Sequence, residues 1–458
     1  MVTIKIINTV WSQIMGDKDA IIDIRELFSY ERKFMRYDPQ AHRNVLKVYR
    51  ASLLKSQGGL FFTGLVPRAV DFLRSKKYEV KVIDQSEKIK ATNLPTIKIP
   101  ADKKKNWDVQ LPAIKTFLKT SRGVILAPTG IGKTVIASAV ISCYKNKRTL
   151  FLVHTKTLVR QTAKEFMRFL DLKDICLIGE GQKKISGNIV VGTIQTFSKL
   201  DPEIYIDYFD IVIVDEVHHF SSDYEKTVAS IMAPVRLGLT ATMPKENPQR
   251  MLTVEGLIGP VDSEITVQDG VESALLAKPK IKLLKTNYRS DIRELRKYPD
   301  VYNAGIVENK ERNQQIAQVT QTYLKLKLTV LIIVTNIEHG KNIQKELNRL
   351  KLDAPFIQGS TKSDEREELR NRFDKKLDKV VIASVVWKEG VNIPSLGVII
   401  NAAGGKSEIP TLQAVGRGLR RTKDKDEIIV VDFFDPSHPM LISHFGHRIT
   451  TYMTQNWM

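Results

Sequence analysis

Cysteine is nearly absent from this 458-residue chain: it has two thiols, Cys143 and Cys176, both inside apolar segments. That excludes a disulfide framework and any cysteine set for zinc or an iron–sulfur cluster, and it suits buried free thiols in a reducing compartment. Long apolar runs are missing too. None approaches the roughly 18 residues that a spanning helix needs. Met1–Val10 is short, mixed and without a small-residue cleavage site, so no secretory signal is expected. No membrane partner is expected, and the expected location is the cytoplasm, that of the host cell if the chain is phage-encoded. The histidines, among them His42, His154, His219, His339, His438, His444 and His447, show no metal-ligand spacing with cysteine. Internal repeats and low-complexity tracts are likewise absent.

Acidic residues are in short supply. Asp and Glu total 51 against 71 Lys and Arg, a formal net charge of +20 and a pI near 9.6. Such an excess favours a polyanionic partner, although solubility alone would also be served. With no amphipathic basic helix carrying aromatic anchors, nucleic acid is preferred over a membrane surface. What remains is ordinary for a globular protein, 42% hydrophobic and 27% charged, at a length that implies two or three domains.

The pattern divides the chain. From 101 to 262, short and nearly continuous apolar runs alternate with helical stretches. The runs are Gly123–Ala127, Thr149–His154, Ile189–Thr193, Ile211–Asp215 and Arg236–Ala241, with helices expected over Lys133–Tyr144 and Thr157–Leu170. Runs without polar alternation fit parallel strands buried on both faces. A second series, 278–458, carries expected strands at Ile281–Leu284, Val330–Val334, Phe356–Gln358, Val380–Ala383, Val398–Asn401 and Ile428–Phe433. Its helices are expected at Ile337–Leu350, Ser363–Phe373 and Thr411–Leu419. Both series predict α/β doubly wound domains with parallel sheets. Residues 1–100 hold Arg25, Arg32, Lys33, Arg36, Arg43, Lys47, Arg50 and Lys55 with few acids between. Leu60–Phe62, a helix over Pro67–Ser75 and Tyr78–Ile83 follow. They read as a small basic α/β domain that grips DNA, linked through an exposed Ala101–Lys105.

"VILAPTGIGKT" runs from strand through tight loop to helix start. Around Pro128, Thr129 and Ile131, Gly130 and Gly132 free the backbone to aim N–H groups at phosphate, and the helix N-terminus adds positive potential. Lys133 is placed to neutralise the β- and γ-phosphates and Thr134 to hold Mg²⁺. Ala127 stands where the usual motif has its first glycine. About 80 residues on, "FDIVIVDEVHHF" ends an apolar strand in two carboxylates. Asp215 is suited to bind Mg²⁺ through water and Glu216 to orient the attacking water. Helix capping explains acids at a strand end but not why the pair follows a phosphate loop.

Asp215-Glu216-Val217-His218 resembles the DEAH-type motif of superfamily-2 helicases, and the resemblance extends over nearly everything from residue 107 onward. It implies two tandem RecA-like domains, ATP and Mg²⁺ as cofactors, and DNA as partner. Thr240–Thr242 resembles the motif that couples hydrolysis to domain movement. "QAVGRGLR" resembles the last motif, in which Arg417 and Arg420 would be arginine fingers for the γ-phosphate and Gln413 would contact the His218 region. Gln110 would read adenine, and Trp107 would either stack on the base or anchor the core. Gly390 and Asn392 would face ATP, with Asn392 standing where many relatives have Asp.

Thr155, Lys156 and Gln161 in "HTKTLVRQ", and Thr193 and Thr196 in "VGTIQTF", fall in motifs that bind the sugar-phosphate backbone. Thr335, Ser384 and Lys388 would act likewise from the second domain. Hydroxyls and amides at strand ends bind backbone without reading sequence. Trp387 would either stack on a base or pack in the core. Within the superfamily, "LFLVHTKTLVRQ", "DEVHHF", "GLTAT" and "YNAGIVENKERN" are similar to XPB-like DNA helicases and to the compact phage branch-migration helicases of UvsW type. This similarity implies work on branched DNA in replication, recombination and repair, with forks and four-way junctions as substrates and recombination or replication proteins as partners. An RNA helicase and a duplex translocase that leaves strands paired stay open as alternatives. A non-enzymatic DNA-binding scaffold stays open as well, although every catalytic motif residue is in place.

Overall fold

Apolar residues at every second position, Val2 and Ile4 on β1 (Val2–Ile6) and Ile14 on β2 (Trp11–Gly16), give the N-terminal sheet one buried face. Asp17 caps α1 (Lys18–Leu27) by accepting from the amides of Asp19 and Ala20. The chain then forms an antiparallel ribbon, β3 (Ser29–Asp38) and β4 (Arg43–Ser52), that pairs with no other strand among the described residues. β5 (Leu60–Phe62), α2 (Val66–Ser75) and β6 (Val80–Asp84) close the sheet in the order β5-β2-β1-β6. Sequence pattern anticipated the last three elements but not the first five. The computed structural model describes the whole chain except residues 39–42, 56–57, 93, 99–105, 180–183, 220, 245–246, 385–392, 394, 407–424 and 455. The expected link Ala101–Lys105 therefore lies outside the described residues. Among the described residues no helix is long and apolar enough to cross a membrane.

A seven-stranded parallel sheet follows, ordered β13-β7-β12-β11-β8-β10-β9. Its elements in sequence begin with α3 (Asn106–Thr120), β7 (Arg122–Leu126), α4 (Lys133–Ser142), β8 (Thr149–Val153) and α5 (Lys156–Leu170). Next come β9 (Cys176–Ile178), β10 (Ile189–Thr193), α6 (Ile194–Phe197), β11 (Ile211–Asp215) and α7 (Ser222–Ala229), then β12 (Val235–Thr240), α8 (Pro248–Leu257) and β13 (Val261–Glu264). β8, β10 and β12 are buried along their whole length, and β11 all but its last residue. Burial on both faces is why their sequences lack alternation. Arg236, second in β12, is fully buried and donates to the carbonyls of Leu257 (2.5 Å), Ile231 and Val228 (both 2.7 Å). It satisfies carbonyls at and just after the end of α7 and at the end of α8.

The N-terminal sheet is built onto this one. Val10 and Phe62 belong to the core that fills the parallel sheet, and Leu252 of α8 belongs to the N-terminal core. Arg68 makes a forked ion pair with the buried Glu255 (2.8 and 2.7 Å), and the Thr9 hydroxyl donates to the Ala233 carbonyl (2.9 Å). Met1–Pro128 and Gly132–Thr266 accordingly form one compact unit.

The other unit comprises Val267–Met458 together with Thr129–Ile131. After α9 (Val267–Glu272) come β14 (Lys278–Lys285), α10 (Tyr298–Tyr302), α11 (Lys310–Lys325), β15 (Thr329–Ile333), α12 (Ile337–Arg349) and β16 (Phe356–Ile357). Then follow α13 (Ser363–Asp374), β17 (Val380–Ala383), β18 (Leu396–Asn401), β19 (Glu427–Phe434) and a C-terminal helix, Pro439–Thr454. The six strands are parallel in the order β14-β19-β18-β15-β17-β16. Arg448 of the C-terminal helix pairs with the buried Asp432 (2.8 and 3.1 Å), which also accepts from the Tyr452 hydroxyl (2.7 Å). Both parallel sheets are thus doubly wound as the sequence predicts.

Candidate ATP and nucleic-acid site

Four strands of the first parallel sheet, β7, β8, β11 and β12, end at the same edge, their carboxyl ends, where doubly wound folds place ligands. After β7 the chain passes through Gly130 (φ 94°) and Gly132 (φ 93°), both left-handed. Gly132 then caps α4. A Cβ on Gly132 would stand 2.9 Å from Nε2 of the fully buried Gln110, so glycine is required both by conformation and by space. Lys133, first in α4, reaches Glu216 Oε1 at 2.7 Å. Asp215 ends β11 and accepts from the Glu216 amide (3.1 Å). Gln110, Gly132, Lys133, Asp215, Glu216, His218 and Thr240 are therefore brought to one place, with Thr134 beside Lys133.

Charge is unevenly shared there. Burial, reinforced by the Glu216 charge, raises the Asp215 carboxyl above its usual range. Burial would raise Glu216 too, but the Lys133 charge outweighs it and holds that carboxyl low. Burial opposes the Lys133 ammonium, and the two carboxylates more than compensate. The pair is thus an ammonium on a carboxylate, beside a carboxyl that favours added positive charge. That preference and the oxygen donors of Thr134 and Asp215 fit a hard divalent cation such as Mg²⁺.

Burial keeps His218 neutral, its pKa down to about 4. The Thr240 hydroxyl can donate to the Thr242 carbonyl (2.9 Å), so His218 Nδ1 carries the hydrogen that joins it to Thr240 Oγ1 (2.7 Å). His218 Nε2 is left as a buried lone pair without a hydrogen-bond partner among the described residues. Sequence reading missed His154. It follows β8 directly, and its Nε2 lies 3.0 Å from the Asp215 carbonyl and 2.9 Å from that of Glu216. Its ring also meets His219, with centroids 4.4 Å apart.

Two family profiles match the chain: "Type III restriction enzyme, res subunit" over residues 76–245, and "Helicase conserved C-terminal domain" over 303–422. The chain belongs to the superfamily-2 helicases. It is 27% identical over 394 residues to the DNA 3'-5' translocase XPB2 of Sulfurisphaera tokodaii, covering 78% of this chain and 87% of that protein. It is 23% identical over 448 residues to the ATP-dependent DNA helicase uvsW of Enterobacteria phage T4, covering 92% and 88%. The solved structure of S. cerevisiae Dbp5 bound to RNA and ADP BeF3 has the same fold, with a TM-score of 0.54, 16% identity and coverage of 76% and 88%. The helicase is therefore an ATP-dependent enzyme of the XPB-like and UvsW-like kind, and its family implies ATP, typically with Mg²⁺.

On the expected nucleic-acid track, Thr155 caps α5, accepting from the Leu158 amide, with Lys156 and Gln161 exposed on that helix. Thr193 caps α6 with its hydroxyl 2.8 Å from that of Thr196. In the second unit Thr335 is exposed after β15 and Ser384 is buried after β17. The Tyr302 hydroxyl donates to the Ala403 carbonyl (2.8 Å), so Thr335 spends its own proton on Tyr302 (2.6 Å) and offers only lone pairs. Lys388, Gly390, Asn392, Gln413, Arg417 and Arg420 lie outside the described residues, as do Trp387 and the expected helix Thr411–Leu419.

Proposed function

We propose that this helicase uses ATP to drive branch migration and fork regression on branched DNA. In this reading Lys133 neutralises the β- and γ-phosphates, Thr134 and Asp215 hold Mg²⁺, Glu216 orients the attacking water, and Gln110 reads adenine. His218, Thr240 and Thr242 relay the state of the site. Gly390 and Asn392 face ATP, Gln413 acts with His218, and Arg417 and Arg420 stabilise transition-state charge. Thr155, Lys156, Gln161, Thr193, Thr196, Ser384 and Lys388 follow the DNA backbone. Thr335 fits that track less well, because a hydroxyl without a free proton cannot donate to phosphate.

The observation that carries the reading is the N-terminal sheet, fused to the first parallel sheet through a shared core and bearing a ribbon with Arg32, Lys47 and Arg50 exposed. A basic ribbon fixed to the motor can hold a second duplex arm while the motor pulls the first. Branch migration exchanges equal numbers of base pairs, whereas plain unwinding gives up about 1.4 kcal/mol of stacking per step. Similarity to the phage T4 helicase over nearly the whole chain agrees with this. The test supplies ATP with a four-way junction, a fork and a blunt duplex of matched length. Faster processing of the junction and fork is expected. Equal processing of the blunt duplex, or movement without strand exchange, would favour a duplex translocase; the Sulfurisphaera relative is named a DNA 3'-5' translocase.

A further inference from the structure

Glu216 has a left-handed backbone, φ 51°, in a residue that carries a side chain. Such a conformation is strained for a residue with a side chain and persists only where neighbouring groups fix it. Three groups do so here. The Val217 amide donates to the Leu239 carbonyl (3.2 Å), the His219 amide donates back to the Glu216 carbonyl (2.9 Å), and His154 Nε2 meets the carbonyls of both Asp215 and Glu216. The first two are backbone bonds that any sequence would supply. The Asp215 carboxylate also accepts from the Glu216 amide (3.1 Å), but it is part of the turn, whereas His154 brings a side chain to it from the end of a separate strand, β8.

Carbonyl oxygens only accept, so Nε2 must carry the hydrogen and divide it between the two. One N–H thereby fixes the peptide on either side of the strained residue, and with it the direction in which the Glu216 carboxylate leaves the chain. His154 is also followed directly by Thr155, whose hydroxyl caps α5. The turn that aims Glu216 is in this way tied to the capping residue of the helix that carries Lys156 and Gln161.

We propose that His154 is a positioning residue for hydrolysis: its Nε2–H clamps the left-handed turn at Glu216 and so sets the carboxylate where the attacking water must stand. This rests on Glu216 acting on that water. The hydrogen bonds of His154 Nε2 go to the Asp215 and Glu216 carbonyls and not to the phosphate loop, so removing the clamp acts on turnover more than on nucleotide binding.

The experiment measures kcat and KM for ATP, in the presence of saturating four-way junction DNA, for the parent, His154→Ala, His154→Gln and Glu216→Gln, with thermal melting of each. His154→Ala should lower kcat roughly tenfold, with KM changed less than about twofold. His154→Gln should recover most of that loss, because an amide N–H₂ can donate to both carbonyls where alanine cannot. An unchanged kcat in His154→Ala would overturn the proposal. So would equal losses in the alanine and glutamine variants, which would show that the ring only packs against His219. Glu216→Gln keeps the two failures apart: turnover at the parent rate in that variant removes the role of Glu216 itself, whereas a dead Glu216→Gln beside a normal His154→Ala removes only the clamp.

Discussion

Replacing Gly64 by alanine tests whether the N-terminal sheet is built into the motor. Gly64 lies in a buried turn, Thr63–Leu65. A Cβ there would run into the Glu255 carbonyl oxygen and stand 2.7 Å from that of Gly256. Both obstacles are backbone at the end of α8, so neither can swing aside, and the two segments would have to separate. On the other side Gly256 is met by Phe62, whose Cβ would lie 2.7 Å from an added Cβ. Overpacking of this kind costs about 1–3 kcal/mol. At about 2–4 °C per kcal/mol for a unit of this size, melting should fall by roughly 2–12 °C. The same substitution at Gly446, in the C-terminal helix with nothing within 4 Å of its added Cβ, should be neutral or raise stability by about 0.5–1 kcal/mol. Calorimetry of the two variants gives a lowered melting temperature for Gly64→Ala and no lowering for Gly446→Ala if the packing is as described. A Gly64→Ala protein that melts with or above the parent would refute the docking of the N-terminal sheet. The same packing means that cutting away residues 1–100 would strip Val10 and Phe62 out of the motor's core, so the grip of that region on DNA is better tested by surface substitution.

Changing Arg32, Lys47 and Arg50 together to alanine should weaken junction binding and flatten its log–log salt slope by about 0.9 for each phosphate no longer neutralised; an unchanged slope would mark the ribbon as a solvated face. Arg236→Met should destabilise the protein by on the order of 3 kcal/mol, read from urea melts, because three buried carbonyls would be left without their donor. Burial pulls the Arg236 pKa down to about 10, so the guanidinium remains charged at neutral pH. His218 should stay neutral in the folded protein until about pH 4, visible as an imidazole NMR titration displaced from 6.5. Its folded pKa is depressed, so its contribution to stability is intact above 6.5 and is lost as pH falls toward 4, by up to about 3 kcal/mol, because the unfolded chain takes up a proton that the folded chain refuses. His218→Gln should remove that part of the acid-side slope.

Much of this was legible in the residues. Ile189–Thr193 and Ile211–Asp215 are strands to the residue, because a strand covered on both faces must be apolar without alternation. Lys133, Asp215 and Glu216 stood out by type and order, and the structure brings them together. What escaped were features set by tertiary neighbours. β13 straddles residue 262, where the sequence pattern ends the first series, because the strand is short and partly exposed. α8 carries Thr253, Glu255 and Gly256 on buried positions, and only the N-terminal sheet explains them: Arg68 answers Glu255, and Phe62 fills the space over Gly256. Arg236 reads as a polar strand start, yet it is fully enclosed. His154 looks like a lone histidine with no metal partner, because its acceptors are backbone carbonyls 61 and 62 residues away.

The most direct test of the account is phosphate release from ATP by the parent and by Glu216→Gln, each with and without four-way junction DNA, alongside a nucleotide-binding titration of both. The account predicts that DNA accelerates the parent, and that Glu216→Gln binds ATP with parent affinity but falls by at least about two orders of magnitude in DNA-stimulated turnover, in the range expected for removal of a catalytic base. DNA-independent hydrolysis by the parent, or parent-rate turnover by Glu216→Gln, would contradict it.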